Sequence, residues 1–130
     1  MTTLYISPIY ILLNIMLILV LAYRVVTLRR RYKVGLGDGN HKELRMAIAT
    51  HANAIENMPI ALIVLLIAEL NGGTDWVLHA GGMLLTVARI WHAMGTLRHV
   101  GTSTGRYYGT VITWMYSVAM GFYAVLLPFI

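Results

Sequence analysis

The chain contains no cysteine, so it cannot build a disulfide, a thiolate nucleophile or a soft-metal site, and we expect no metal centre. Any thiol chemistry would therefore need a thiol brought in by another molecule. Charge is also scarce, because only 12% of the 130 residues are charged, whereas soluble domains carry about 25%. With a hydrophobic content of 58% and a mean hydropathy of +0.71, this scarcity excludes an ordinary soluble domain and indicates a membrane protein.

Long apolar stretches separated by short polar connections account for almost the whole chain. A helix that spans a bilayer needs about 20 mainly apolar residues, and stretches of this length cover residues 4–28, 47–70, 76–97 and 107–128. The first run is too long, and lacks the basic start, for a cleaved signal peptide. The sequence therefore predicts one all-α integral membrane domain over residues 1–130, a four-helix bundle. Its helices are predicted near residues 4–32, 42–71, 75–98 and 106–128.

The basic residues are concentrated on one side of the predicted membrane. Seven of the ten Lys and Arg residues lie in or beside the first connection, and Arg98 and Arg106 flank the third. The positive-inside rule therefore predicts that these connections face the cytoplasm and that both termini lie on the other side. This asymmetry explains the net charge of +5 without a nucleic-acid partner. Membrane lipid headgroups are the expected partner of the basic run at residues 29–31.

Polar residues form a stripe on each of the last three predicted helices. At 100° per residue, one face of helix two carries Arg45, Ala49, Asn53, Glu56 and Pro59. The stripe of helix three consists of Arg89, His92 and Thr96, and that of helix four consists of Arg106, Thr110, Thr113 and Ser117. Charges at membrane depth usually face a bundle interior or a wet cavity. The stripes thus predict an inward-facing, Arg-rich site near the cytoplasmic surface for an anionic ligand with carboxylates.

Two structural alternatives compete with this interpretation. In the first alternative, the Ser and Thr hydroxyl groups of helix four only form hydrogen bonds to the backbone of their own helix, as they often do in membrane helices. Glu56 could also pair with Arg45 or Arg89 and simply hold helices together.

The chain resembles the MAPEG superfamily, the membrane-associated proteins in eicosanoid and glutathione metabolism, and its bacterial branch in particular. The resemblance covers nearly the whole chain. It rests above all on the helix-two segment HANAIENMP at residues 51–59. Further support comes from VTLR at residues 26–29, ARIWH at 88–92 and GR at 105–106. A bacterial inner membrane is the localisation that this resemblance implies.

The resemblance implies a homotrimer that binds glutathione, as co-substrate, between neighbouring subunits near the cytoplasmic face. Asn53 and Glu56 match the residues that hold the polar groups of the tripeptide, and Arg29 matches an Arg that holds its carboxylates. Arg106 matches the Arg that stabilises the thiolate, with Arg98 as the alternative cation. The expected binding set is completed by Arg45, Arg89 and His92, the last standing where relatives have Tyr or His.

These residues predict a glutathione-dependent transferase or peroxidase-like enzyme. A free thiol has a pKa near 8.5, and a neighbouring Arg lowers it, so the thiolate could attack a lipophilic electrophile delivered from the membrane. Two positions depart from the family pattern: Ala49 replaces a common Arg, and Thr96 replaces a Tyr. Other function classes therefore stay open, namely a small proton-coupled transporter that uses Glu56 and a non-catalytic trimeric scaffold of the same fold.

Overall fold

The computed structural model describes residues 3–130, which form four α-helices and a final short turn. The helices are α1 (Ser7–Tyr32), α2 (Lys42–Leu70), α3 (Asp75–Arg98) and α4 (Thr104–Leu126), and a 3₁₀ turn covers Leu127–Phe129. Contacts join the start of α1 to the end of α2 and the end of α1 to the start of α2, so these two helices run antiparallel. The chain is an all-α membrane bundle, as the sequence predicts.

Local residue chemistry explains where the helices begin and end. Pro8 lies in the first turn of α1, where the missing N–H of proline costs nothing, so the helix starts at Ser7 rather than near residue 4. At the other end of α1, Lys33 adopts a left-handed backbone with φ of 54°. Ser103 caps α4, because its hydroxyl oxygen accepts a hydrogen bond from the backbone N–H of Arg106 at 3.2 Å.

Within residues 3–130, three helices are apolar and long enough to cross a membrane by length and composition alone: α1, α2, and α4 with its final turn. The sequence predicted a fourth span over α3. With 24 residues, α3 is about 36 Å long, but its sequence is not apolar enough for it to count with the other three helices. Because Thr86, Arg89, His92 and Thr96 are buried inside the bundle, these polar groups do not meet the lipid.

The two halves of the bundle have cores of different size. We call the end formed by the α1–α2 and α3–α4 connections the basic end, and the end formed by the α2–α3 connection the opposite end. The largest apolar cluster lies toward the opposite end and consists of Ile6, Tyr10, Ala61, Leu62, Leu65, Ala68, Leu78, Leu85, Tyr116, Met120 and Ala124. Toward the basic end the buried apolar residues form two small clusters. These are Leu21, Ala54, Met58 and Ala93, and Leu28, Leu44 and Ala47.

Glu69 fixes the start of α1 at the opposite end. Its carboxylate is only 5% exposed and accepts three backbone hydrogen bonds, from Tyr5 and Ile6 at 2.8 Å each and from Ser7 at 2.6 Å. The first N–H groups of a helix have no partner within the helix and favour an anion. Glu69 therefore acts as a cap supplied from α2 rather than as a free acid of the second connection.

Candidate functional site

The polar stripe of α2 exists, but it faces away from the bundle interior. Arg45, Ala49 and Glu56 are exposed and Asn53 is half-buried, while the opposite face of the helix, including Ala54 and Met58, is buried. The predicted sharing of one face is confirmed, and its predicted inward direction is wrong. The reason is that α2 contributes its small and apolar residues to the contacts with the other three helices.

The stripe of α3, in contrast, points inward and joins α2 at Asn53. Arg89 is 1% exposed, and its Nη2 donates to Oδ1 of Asn53 at 2.7 Å. Within residues 3–130, Nε and Nη1 of Arg89 have no hydrogen-bond partner, nor does Nδ1 of the buried His92. Burying such groups unpaired is costly, so this interior is short of acceptors.

Glu56 lies outside this buried pair. In the part of the chain that the structure describes, its carboxylate takes part in no hydrogen bond or ion pair. The structural alternative in which Glu56 pairs with Arg45 or Arg89 is therefore wrong. Arg45 bonds to Asp38 instead, and Arg89 bonds to Asn53.

The first connection holds two of the predicted binding residues. Arg29 donates from Nη1 to the carbonyl oxygen of Gly37 at 2.9 Å, and Arg45 donates to the carboxylate of Asp38. The hydrogen bond from Arg45, aided by the backbone N–H of Asn40, holds the pKa of Asp38 below its ordinary value of 3.8. A cleft of about 440 Å³ opens beside this pair and is lined by Gly37, Asp38, Arg45, Ile48 and Ala49.

Arg106 lies on an outward cleft of α4. The cleft has a volume of about 400 Å³ and is lined by Gly101, Thr102, Arg106, Tyr107, Thr110, Val111 and Trp114. The indole N–H of Trp114 donates to Oδ1 of Asn57 at 3.0 Å, so one wall of the cleft is tied to the residue next to Glu56. Sequence reasoning missed this bond, although a buried or membrane-embedded indole N–H generally seeks an acceptor.

The hydroxyl groups of α4 and α3 are used within their own helices. Thr110, Thr113 and Ser117 donate to the carbonyl oxygens four residues earlier, at 2.7–2.9 Å. Thr96 does the same toward His92 at 3.0 Å. The structural alternative for the helix-four stripe is confirmed, and none of these hydroxyl protons is free for a ligand.

One chain thus assembles only part of the predicted site. The residues that it brings together are Asn53, Arg89 and His92. Glu56 and Arg106 lie on the outer surface, connected through Asn57 and Trp114, while Arg29 and Arg45 are bonded to the first connection. The set nevertheless offers a carboxylate for an ammonium group and guanidinium groups for carboxylates.

Comparisons with known proteins agree with this architecture. The model of the MAPEG family matches residues 7–126. The chain is 39% identical over 90 residues to the inner membrane protein YecN of Escherichia coli strain K12, and equally to YecN of Escherichia coli O6:H1 strain CFT073. The matched region covers 69% of this chain and 69% of each relative. The bundle and these relatives together indicate an integral inner membrane protein, and the chain belongs to the MAPEG family.

Proposed function

We propose that this protein is a glutathione-dependent membrane enzyme of the transferase or peroxidase-like kind, active as a homotrimer. The observation that carries the proposal is Glu56, an exposed carboxylate without a partner in residues 3–130. Apolar side chains of α2 flank it, with Ile55 48% and Ile60 63% exposed. A charged residue at mid-bilayer costs about 2.5–3.5 kcal/mol on insertion scales. A second copy of the chain and a polar ligand held between copies would both remove this cost.

The orientation that we propose puts the basic end in the cytoplasm and both termini on the other side, following the positive-inside rule. Glutathione from the cytoplasm would then reach the polar face of α2 directly. The electrophile would enter from the membrane, because the remaining surface of the bundle is apolar.

Asn53 and Glu56 would bind the peptide part of glutathione. Arg89 can only donate hydrogen bonds, so its contact fixes Oδ1 of Asn53 toward the interior. The amide N–H groups of Asn53 are thereby directed away from Arg89 and can donate to a carboxylate or carbonyl oxygen. The Glu56 carboxylate accepts from the ammonium group of the ligand. Arg29 and Arg45, at the first connection, would hold the carboxylates of glutathione.

Arg106 would stabilise the thiolate. A guanidinium beside the thiol lowers the thiol pKa from about 8.5, so that the sulfur is deprotonated at neutral pH. The sulfur then donates an electron pair to the electrophilic atom. Either the bond to a leaving group breaks and that group departs with the bonding electrons, or a π bond of the electrophile breaks and its electrons move to the neighbouring atom, which is then protonated. Arg106 lines the outward cleft with Trp114. Arg98 lines a separate cleft of about 180 Å³, which makes Arg106 the better choice.

A non-catalytic scaffold is the second candidate, and two contacts favour it. Ala49 has no polar group, and Arg45, one turn away, is already bonded to Asp38. Thr96, at the position of a Tyr in relatives, donates its hydroxyl to His92. Both contacts reduce the number of groups available to glutathione.

Calorimetry with detergent-purified protein tests the proposal. We expect saturable glutathione binding that Glu56→Gln weakens at least tenfold, as loss of a charge-assisted contact does. Glu43→Gln is the matched control, since Glu43 is an acid of α2 near the same end but is bonded to Arg24 and Tyr32. No binding up to millimolar glutathione, or equal losses in both variants, would reject glutathione as the ligand.

Turnover measurements separate the thiolate role from binding. Arg106→Ala should lower the rate of conjugation or peroxide reduction about a hundredfold while changing glutathione affinity only slightly. Unchanged turnover would reject the role of Arg106. Binding of glutathione without turnover of any electrophile would favour the scaffold.

A further inference from the structure

A further cleft, in which every charged residue is basic, lies at the end of α1. It has a volume of about 340 Å³ and is lined by Val26, Arg29, Arg30, Lys33, Val34 and Gly35. Of its three cationic residues, Arg29 is half-buried, while Arg30 and Lys33 are exposed. Val26, also exposed, lies one turn into the apolar part of the helix. The cleft therefore combines positive charge with an apolar edge.

No acid of the basic end neutralises this charge in the part of the chain that the structure describes. Asp38 is bonded to Arg45. Glu43 accepts from Arg24 at 3.3 Å and from the hydroxyl of Tyr32 at 2.9 Å. Since both acids near the first connection are engaged elsewhere, Arg30 and Lys33 face the cleft as uncompensated cations.

The backbone at Lys33 shows that a lysine occupies a position suited to glycine. Lys33 ends α1 in the left-handed region with φ of 54°, a conformation that glycine adopts without steric cost and that other residues adopt rarely. Glycine is common in the same connection, at residues 35, 37 and 39. Glycine at residue 33 would therefore give a more stable end of α1. The chain has a lysine there instead, and this lysine lines the cleft.

We propose that this cleft binds the phosphate of an anionic phospholipid from the surrounding leaflet. Arg30 and Lys33 contact the phosphodiester, and Val26 contacts the first carbons of the acyl chains. Basic pockets at the cytoplasmic ends of membrane helices favour anionic headgroups in this way. The apolar edge selects a lipid over a soluble phosphate, because a free anion gains nothing from contact with valine. Arg29, which the proposed function assigns to glutathione, also lines this cleft. Arg30 and Lys33 have no part in that function, so variants at these two positions test the lipid site separately.

Native mass spectrometry of the full-length protein in neutral detergent tests the proposal, with phosphatidylglycerol and phosphatidylcholine as probes. We expect a preference for phosphatidylglycerol that falls about fivefold for each cleft cation removed. Lys33→Gly and Arg30→Gln are the test variants. Lys42→Gln is the matched control, because Lys42 is an exposed cation of the same end outside the cleft.

Equal losses in Lys42→Gln and the cleft variants would overturn the proposal, since general surface charge would then account for the binding. So would equal binding of the two lipids, or displacement of phosphatidylglycerol by millimolar inorganic phosphate, which would identify a soluble anion as the ligand. Lys33→Gly should raise the unfolding temperature while lowering lipid binding. If the helicity of Lys33→Gly falls instead, the lipid binding of Arg30→Gln alone tests the proposal, because that substitution leaves the left-handed residue, Lys33, unchanged.

Discussion

Two glutamates of α2, Glu69 at the end of the helix and Glu56 at its middle, have contrasting environments. Glu69 is 5% exposed and accepts three backbone N–H groups of the α1 start. Glu56 is exposed and has no polar partner within residues 3–130. The same type of side chain therefore completes a contact within the chain at the end of α2 and carries an unpaired charge at the middle of the helix.

The two halves of the bundle also differ in how their buried residues pack. The opposite end contains the largest apolar cluster, whereas the basic end has small clusters around the buried Arg89 and His92, whose polar atoms are only partly bonded. Polar groups without partners are expensive in a membrane interior. The opposite end is therefore stabilised within one chain, whereas the basic end contains buried polar atoms without a hydrogen-bond partner in residues 3–130.

The largest expected effect is on folding, through Glu69→Gln. The change removes the charge from three buried hydrogen bonds and should lower the free energy of unfolding by about 3 kcal/mol. Reversible unfolding in mixed micelles measures it. Glu56→Gln should change the same quantity by less than about 0.5 kcal/mol. Similar losses of unfolding free energy in the two variants would show that the two glutamates do not differ in their contribution to stability.

Arg89→Met tests whether the buried cation serves binding rather than stability. Replacing a poorly paired buried charge with an apolar side chain is often neutral or stabilising by about 1–4 kcal/mol. We therefore expect an unchanged or higher unfolding midpoint, together with about tenfold weaker glutathione binding, because Asn53 loses the contact that orients its amide. Arg98→Met, at an exposed position, serves as the control. A large loss of stability in Arg89→Met would assign Arg89 to the fold.

Ala49→Arg sharpens the comparison by adding a cation to the polar face of α2. A forked guanidinium at this position should bind a ligand carboxylate and raise glutathione affinity about threefold to tenfold. Ala49→Lys should gain less, since an ammonium group cannot form the paired contact. Calorimetry with both variants measures the difference, and equal affinity to the wild type would show that no carboxylate lies near residue 49.

The smallest effect concerns pH and the first connection. The pKa of Asp38 is lowered chiefly by its bond to Arg45, so the folded state favours the ionised acid. This contribution is present above the ordinary pKa of 3.8 and is lost as the pH falls through the lower folded value. The unfolding midpoints of the wild type and Asp38→Asn should therefore differ slightly at pH 6, and the difference should shrink as the pH falls below 3.8. A difference that does not shrink on acidification would contradict the role of this pair.

Some features of the site could be predicted because they depend on neighbouring residues along one helix. The grouping of Arg45, Asn53 and Glu56 on a single face follows from helical periodicity, and so does the stripe of Arg89 and His92. The backbone bonds of the helix-four hydroxyls are equally local, since each partner lies four residues away. Such relations require no knowledge of how the helices pack.

Other features depend on contacts that no local pattern encodes. Glu69 caps a helix that begins 62 residues earlier, and Trp114 reaches Asn57 across the bundle. The direction in which each polar stripe faces also depends on how the helices pack. In a soluble protein the polar face of a helix points to water, but lipid is as apolar as the bundle interior, so periodicity alone does not distinguish inside from outside.

The sequence by itself determined the class of this protein: apolar length and charge segregation require membrane helices, because unpaired backbone groups are not tolerated in lipid. Its motifs also identified the family, which the comparison over residues 7–126 confirms. Only the tertiary structure decided that Arg89 points inward to Asn53 while Glu56 points outward. The physical reason is that helix rotation is set by close packing of small and apolar residues between helices. That packing depends on all four helices at once.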